Sequence, residues 1–248
     1  MKKHLLLCFA IGAFASSFGQ TSITSGKVTY EQIIKLDIKL SGEASQLESI
    51  LPKERKSNKE LLFCEAASLY KNEESLNDEE VIKETSGTGS ITIKMKESDD
   101  LIYTDISNQS TIEQREFLNR LFLVESDKNT AKWKITGNSK TILDINCIEA
   151  ELVDTSKNLK AWFAPTIAVS SGPNGLMGLP GLILAVDIDN GKTTIIAKGI
   201  DSTPISAKEL SKPKKGKKVS KDEFAQIVKE KNEERANSSG TSIVIMAQ

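Results

Sequence analysis

The sequence predicts a mainly β protein of the α+β class, built on one strongly curved, half-barrel-like antiparallel sheet. Two observations carry this prediction. From Val28 to Leu40 the even positions are mostly apolar and the odd positions mostly polar, which is typical of a strand with one buried and one solvated face. Asn190-Gly191 separates two apolar runs, and Asn-Gly accepts the positive φ of a tight hairpin.

The N-terminus is predicted to be a signal peptide covering residues 1–19. Lys2 and Lys3 precede an apolar run of about 11 residues, which is too short to span a bilayer. Of two small-x-small sites we favour the one that ends at Gly19. The only histidine of the chain, His4, lies in this segment. The mature protein would therefore lack Ser-His-Asp chemistry and every metal site that needs a histidine ligand.

Export places the mature chain in the periplasm, on the cell surface or outside the cell. The mature chain has no second apolar run long enough for a membrane span. The chain has 33 basic and 34 acidic residues and 5% aromatic residues, so neither a phosphate-binding face nor a base-stacking platform is indicated. We expect no nucleic acid partner, no cofactor and no metal.

Further elements follow along the chain. A short helix is predicted near residues 44–51 and an exposed loop over residues 71–89. An antiparallel β domain is predicted over residues 20–206. Residues 207–248 are predicted to form a lysine-rich linker, an amphipathic helix near 221–236 and a tail. Ser220 and Glu223 have the spacing of a capping box. The lysines before them are typical of a solvated linker and, less often, of a docking patch.

Two cysteines, Cys64 and Cys147, remain after cleavage. In an oxidising compartment they could form a disulfide between two strands, or they could be two buried thiols. Sequence alone does not decide between these alternatives, because pairing depends on geometry.

The most unusual segment spans residues 170–183, with glycines at 172, 175, 178 and 181. It lacks the Gly-Lys-Ser/Thr ending of a phosphate loop. Glycines at this spacing permit positive φ and close backbone approach, so we predict a tight apolar loop against the sheet. Residues 178–183 read GLPGLI. With Trp133-Lys134-Ile135, Ala161-Trp162-Phe163 and Gly172-Pro173, this hexapeptide resembles the GLPGLI family, envelope proteins of Bacteroidetes-type bacteria. The resemblance implies an exported protein without an established activity.

The leading interpretation is a noncatalytic module that binds an envelope or outer-membrane protein, or a hydrophobic ligand. The candidate contact residues are Met177, Gly178, Leu179, Pro180, Gly181, Leu182 and Ile183 of the loop, with Trp133 and Trp162. For the two tryptophans, a place in the core or in a cavity wall is the alternative.

Two other interpretations remain open. One is a hydrolase of glycans or peptides that uses two carboxylates, for which Asp187 and Asp189 are the only spaced pair that the sequence suggests. The other is a structural envelope subunit with one extensive apolar surface patch.

Overall fold

The computed structural model describes residues 23–37, 52–73, 79–86, 89–96, 98–126, 131–153 and 158–238. Residues 79–86, 89–96 and 235–238 are described by their backbone. The elements are β1 Gly26–Lys35, β2 Glu54–Phe63, β3 Ala67–Asn72, β4 Glu79–Ser86, β5 Gly89–Lys96, β6 Leu101–Asp105, β7 Ser110–Phe117, β8 Arg120–Ser126, β9 Trp133–Ile142, β10 Ile145–Leu152, β11 Leu159–Ala164, a 3₁₀ turn Pro173–Gly175, β12 Leu182–Ile188, β13 Thr193–Asp201, β14 Lys217–Ser220 and α1 Lys221–Ser238.

Twelve of these strands form one sheet in the order β14-β8-β7-β6-β3-β2-β1-β13-β12-β11-β10-β9, and β4 and β5 form a separate hairpin. Neighbouring strands are antiparallel except for β14, which runs parallel to β8. The sheet does not close into a barrel, since β14 and β9 are the ends of the order. The predicted fold class, a mainly β protein with one antiparallel sheet, is confirmed.

The sheet is strongly curved, as contacts of two nearby glycines show. A Cβ on Gly175 would lie 3.3 Å from the Thr111 side chain of β7, and a Cβ on Gly178 would lie 3.5 Å from the Trp133 ring of β9. In a flat sheet β7 and β9 would be about 43 Å apart, nine steps of about 4.8 Å. Three residues of chain reach at most about 11 Å. The two strands therefore approach each other across the concave, inner face.

The inner face carries the main core. Val28 lies opposite Leu61 in the ladder, Leu61 opposite Tyr70, and Tyr70 opposite Ile102, and all four side chains are buried. Residues opposite each other share a face, so they form one apolar row across four strands. The alternation predicted from Val28 is confirmed within β1.

A segment that we call the inner strap, residues 165–181, crosses this inner face between β11 and β12. Ile167, Val169 and Leu179 of the strap belong to the same buried cluster as Val28 and Leu61. The strap therefore closes the core that the curved sheet leaves open.

A second segment, the outer strap, residues 202–216, crosses the opposite face. At its start, the Ser25 hydroxyl donates to the Ile205 carbonyl at 2.8 Å and accepts from the Ile205 amide at 2.6 Å. Further along, Leu210 packs with Leu69 and Tyr103. Much of this segment was predicted to be a solvated linker. Most of its residues are exposed, while Leu210 packs on the sheet and the segment continues into β14.

The C-terminal helix begins where the sequence predicts it. The Ser220 amide donates to the Glu223 carboxylate at 2.7 Å, and the Glu223 amide donates to the Ser220 hydroxyl at 3.1 Å, which is the capping box. Phe224 of α1 packs on Phe117 and Phe122, with ring centroids 6.3 and 5.3 Å away. In the described part of the chain, no helix combines the length and apolarity needed to cross a bilayer.

Two predictions on the polar stretches have different outcomes. The predicted loop over residues 71–89 contains the end of β3 and strand β4, so the loop prediction is wrong there. The helix predicted near residues 44–51 lies outside the described residues.

We predict that Ser220→Ala weakens the first turn of α1 by about 1 kcal/mol, because the Glu223 amide loses its acceptor. Amide hydrogen exchange of residues 221–225 should become faster. The control is Ser211→Ala, an exposed serine outside any helix, which should leave these rates unchanged. Equal rates in wild type and Ser220→Ala would contradict a stabilising role of the cap.

Candidate functional site

The first half of the inner strap is hydrogen-bonded to the start of β12, the strand that follows the strap. The Leu182 amide donates to the Ile167 carbonyl at 3.0 Å, and the Ile183 amide donates to the Ser171 carbonyl at 2.9 Å. The strap is also attached to the sheet through side chains. Ser171 of the strap shares a buried hydrogen bond of 2.6 Å with Ser68 of β3, and Tyr30 of β1 donates its buried hydroxyl to the carbonyl of Ile183, at the start of β12, at 2.7 Å.

Two glycines allow the strap to pass at backbone distance from its neighbours. A Cβ on Gly181 would lie 2.3 Å from the Ala164 carbonyl oxygen, and the φ of Gly181 is +158°. A Cβ on Gly172 would lie 2.6 Å from Cβ of Ile183. Neither contact is possible with a side chain present, so glycine is required at both positions for steric reasons.

The predicted contact residues divide into buried and accessible ones. Met177, Leu179, Leu182 and Ile183 are buried, and Gly181 is buried with them. Gly178 and Pro180 are exposed, while Trp133 and Trp162 are half-buried. An aspartate at Leu179 or Leu182 would bury a charge in the core. Variants at these two positions therefore report on folding.

Trp133 joins the strap to β9, the last strand of the sheet. Its indole N–H donates to the Met177 carbonyl at 2.9 Å, and its ring lies beside Gly178. Trp133 lies opposite Leu152 and Ile135 opposite Ala150 in the ladder, so both side chains lie on the inner face. Ile135 remains 53% exposed. The edge of the sheet thus presents an accessible apolar side chain two residues from the tryptophan that contacts the strap.

Trp162 lies on the outer face in a polar group that the sequence analysis missed. The Lys140 ammonium lies 3.4 Å from the centre of the Trp162 ring, a cation–π contact. Glu149, opposite Trp162 in the ladder, is only 7% exposed. Its Oε1 accepts from Asn138 at 3.0 Å and Thr136 at 2.8 Å. In the sequence, this polar group could have been recognised from the polar residues at alternate positions Thr136, Asn138 and Lys140, which share one face of a strand.

These contacts set the ionisation of the group. Hydrogen bonds from Asn138, then from Thr136, lower the pKa of Glu149, because they stabilise its charged form. Burial lowers the pKa of Lys140. Glu149 is thus held as a carboxylate at neutral pH.

Asp187 and Asp189 have separate structural roles at the β12–β13 turn. The Asp187 carboxylate accepts from the Gly191 amide at 2.5 Å. Asn190 and Gly191 take φ values of +55° and +81°, as a hairpin turn with Asn-Gly requires, and Asp189 before them has a φ of +52°. The predicted Asn-Gly hairpin is present, and Asp187 stabilises its backbone.

Cys64 and Cys147 are free, buried thiols, and they belong to two different clusters of the core. Burial raises the pKa of Cys147 to about 11, although Lys140 nearby acts in the opposite direction. A thiol with this pKa carries almost no thiolate at neutral pH and is a poor nucleophile. The sequence left a disulfide and two buried thiols open as alternatives, and the structure contains the two thiols.

We predict that Gly181→Ala destabilises the protein by about 3 kcal/mol or more, since the new methyl group meets the Ala164 carbonyl. The free energy of unfolding in urea measures this. Gly199→Ala in β13 is the matched control, because its Cβ would meet only the Thr29 hydroxyl at 3.8 Å. That variant should change stability by less than about 1 kcal/mol. Equal stabilities of the two variants would show that the strap can move away from β11.

We predict that Cys147 resists alkylation by iodoacetamide near neutral pH in the native protein, since it is buried and protonated. After unfolding without reductant, mass spectrometry should show two alkylated cysteines. A product lighter by two hydrogen atoms and without adducts would instead show a disulfide.

Comparisons with known proteins support the fold and one segment of the chain. A family model described as "Protein of unknown function (Porph_ging)" matches residues 151–185, which contain β11, the inner strap and the start of β12. None of the curated proteins is a match. Two crystal forms of a protein titled PNGF-II are similar in fold, with TM-scores of 0.53 and 0.52 and 13% and 14% identity. These matches cover 83% and 82% of this chain but 33% and 32% of the other. The chain thus spans about a third of PNGF-II and shares its β fold there, and it is similar to the family of unknown function through the strap.

Proposed function

We propose that the protein is an exported, noncatalytic binding protein of the bacterial envelope, of the GLPGLI type. We propose further that it holds an extended, acidic segment of an envelope protein along β9. The observation that carries this proposal is the exposure of Ile135 on the last strand of the sheet, on the same face as Trp133, whose ring contacts the inner strap at Gly178.

The first argument is the position of β9. Among the described residues β9 pairs with β10 alone, so one side of its backbone has amide and carbonyl groups that are not used in the ladder. An extended segment can add to such an edge as a further strand, with main-chain hydrogen bonds supplying affinity and side-chain contacts supplying specificity.

The second argument is charge. Residues 131–143 contain Lys132, Lys134 and Lys140 and no acidic residue. A second copy of β9 would bring lysines against lysines, whereas an acidic segment would be attracted. Gly137, with φ of +86°, interrupts the regular strand and further disfavours pairing with a copy of itself.

The third argument is the apolar contact. Trp133 and Ile135 lie on the same face, and Gly178 lies beside the indole ring. An aliphatic or aromatic side chain of the added strand would bury Ile135 here. Full burial of one such side chain contributes about 1.5–3 kcal/mol.

The hydrolase interpretation receives less support from the structure. It needs one carboxylic acid with a raised pKa as proton donor. Among the described residues, Glu149 is the one buried carboxylate, but its pKa is lowered, which is the opposite of what a proton donor needs. Asp187 is engaged by the Gly191 amide.

We predict that a photoreactive amino acid replacing Ile135 forms one defined crosslinked product with an envelope protein in cells. The same amino acid replacing Ile196, a partly exposed residue of the central strand β13, should not form it. The double variant Lys132→Glu/Lys134→Glu should lower the yield about tenfold, because the attraction of an acidic segment becomes repulsion.

The partner peptide is then read by mass spectrometry. An acidic, extended segment supports the proposal. A lipid adduct would favour the hydrophobic-ligand interpretation, and adducts from positions 135 and 196 alike would favour a structural subunit with an extensive contact surface. Either of these results, or no adduct at all, would overturn the proposal.

A further inference from the structure

The turn between β7 and β8 has a leucine where local backbone preference would place asparagine or glycine. Phe117 pairs with Arg120, and the two residues between them, Leu118 and Asn119, have φ values of +52° and +58°. Bulky side chains rarely adopt this left-handed conformation. Leu118 is also 37% exposed. Local conformation does not favour a leucine at this position, and its side chain is accessible to a contact outside the chain.

Basic residues of the outer strap lie next to this turn. Lys217 of β14 lies level with Phe122 of β8, and a Cβ on Gly216 would lie 2.7 Å from the Phe122 carbonyl carbon. Lys215 and Lys214 are one and two residues before Gly216, so their backbones lie within about 8 Å of it. We call Leu118, Asn119, Arg120, Lys214 and Lys215 the basic tip.

The packing of the outer strap turns its lysines outwards. Leu210, Pro213 and Val219 are buried, at spacings of three and six residues, and the lysines between them are exposed. Lys212 and Lys218 pair with Asp105 and Glu125. Within the described part of the chain, no carboxylate lies at ion-pair distance from Arg120, Lys208, Lys214, Lys215 or Lys217.

A groove of about 480 Å³ opens beside the tip, between α1 and β8. Leu121, Phe122 and Ile227 provide apolar surface there. The charged residues that line it are Arg120, Lys217, Lys231 and Glu230. The groove and the tip therefore combine apolar surface with a predominantly basic rim.

We propose that the basic tip docks the protein on an anionic phospholipid bilayer, with Leu118 entering the headgroup region and the lysines contacting lipid phosphates. Lysine clusters next to apolar side chains are attracted to such surfaces. A soluble polyanion would account for the lysines but not for Leu118. This docking site lies on β8 and the outer strap, whereas the proposed partner site lies on β9 at the opposite end of the sheet order.

The test is co-sedimentation of the full mature chain with phosphatidylcholine vesicles that contain or lack phosphatidylglycerol. Binding should require phosphatidylglycerol and decrease with added salt, since screening weakens the attraction. Lys214→Glu/Lys215→Glu should weaken binding by about 25-fold or more, because each lysine near an anionic surface contributes about a fivefold factor.

Leu118→Asn separates the lipid contact from folding. Asparagine suits the left-handed conformation better than leucine, so this variant should fold at least as stably while binding vesicles about tenfold more weakly. Leu143→Asn is its matched control. Leu143 is likewise exposed, with φ of +49° in the β9–β10 turn, but the residue after it is the acidic Asp144, which an anionic surface would repel. The Leu143→Asn variant should gain the same stability as Leu118→Asn and bind vesicles like the wild type.

The charge control is Lys132→Glu/Lys134→Glu on β9, which changes the net charge equally and should leave vesicle binding unchanged. Equal binding to both kinds of vesicle would overturn the proposal. So would full binding by Leu118→Asn, or binding of dextran sulphate without binding of phosphatidylglycerol vesicles, which would identify the tip as a site for soluble polyanions.

Discussion

The structure depends on one steric constraint, the passage of the inner strap at backbone distance over a concave sheet. At Gly181 the strap meets the Ala164 carbonyl, and at Gly172 it meets the Ile183 side chain, both closer than any Cβ permits. The glycines therefore let the first half of the strap hydrogen-bond to the start of β12. Leu179 and Ile167 of the strap belong to the core, and Trp133 hydrogen-bonds to the Met177 carbonyl. The curvature of the sheet, the packing of its core and the path of the strap therefore depend on one another.

The same constraint explains why a sheet of this width stays open. One strap covers the inner face and the other covers part of the outer face, so the apolar surface is buried without closing a barrel. Closure would remove the edges, whereas an open sheet must protect them. Both edge strands have features that prevent sheets from joining edge to edge. β9 has the charge of Lys134 and the backbone irregularity at Gly137, and β14 has the charges of Lys217 and Lys218.

The sequence predicted the elements whose signal is local. The alternation in β1, the Asn-Gly turn and the Ser220 capping box depend on neighbouring residues only. It missed the first half of β2, where Glu54, Lys56 and Asn58 are exposed, because a strand at a rim without core contact has no apolar period. It located the glycine-rich strap but not its orientation, since glycine spacing indicates close approach without saying which groups approach. The pairing of Lys140 with Trp162 required the sheet order, which no local pattern contains.

Four of the six GLPGLI residues are buried, namely Leu179, Gly181, Leu182 and Ile183. These four meet requirements of packing, so only Gly178 and Pro180 of the hexapeptide remain accessible to a partner. The residues that break local preference lie elsewhere. Ile135 is exposed on an edge strand, and Leu118 occupies a conformation that leucine disfavours. Deviations from local preference tend to persist where they serve a function. In this chain the hexapeptide therefore helps to close a curved sheet, and a partner is to be sought at the edges and turns.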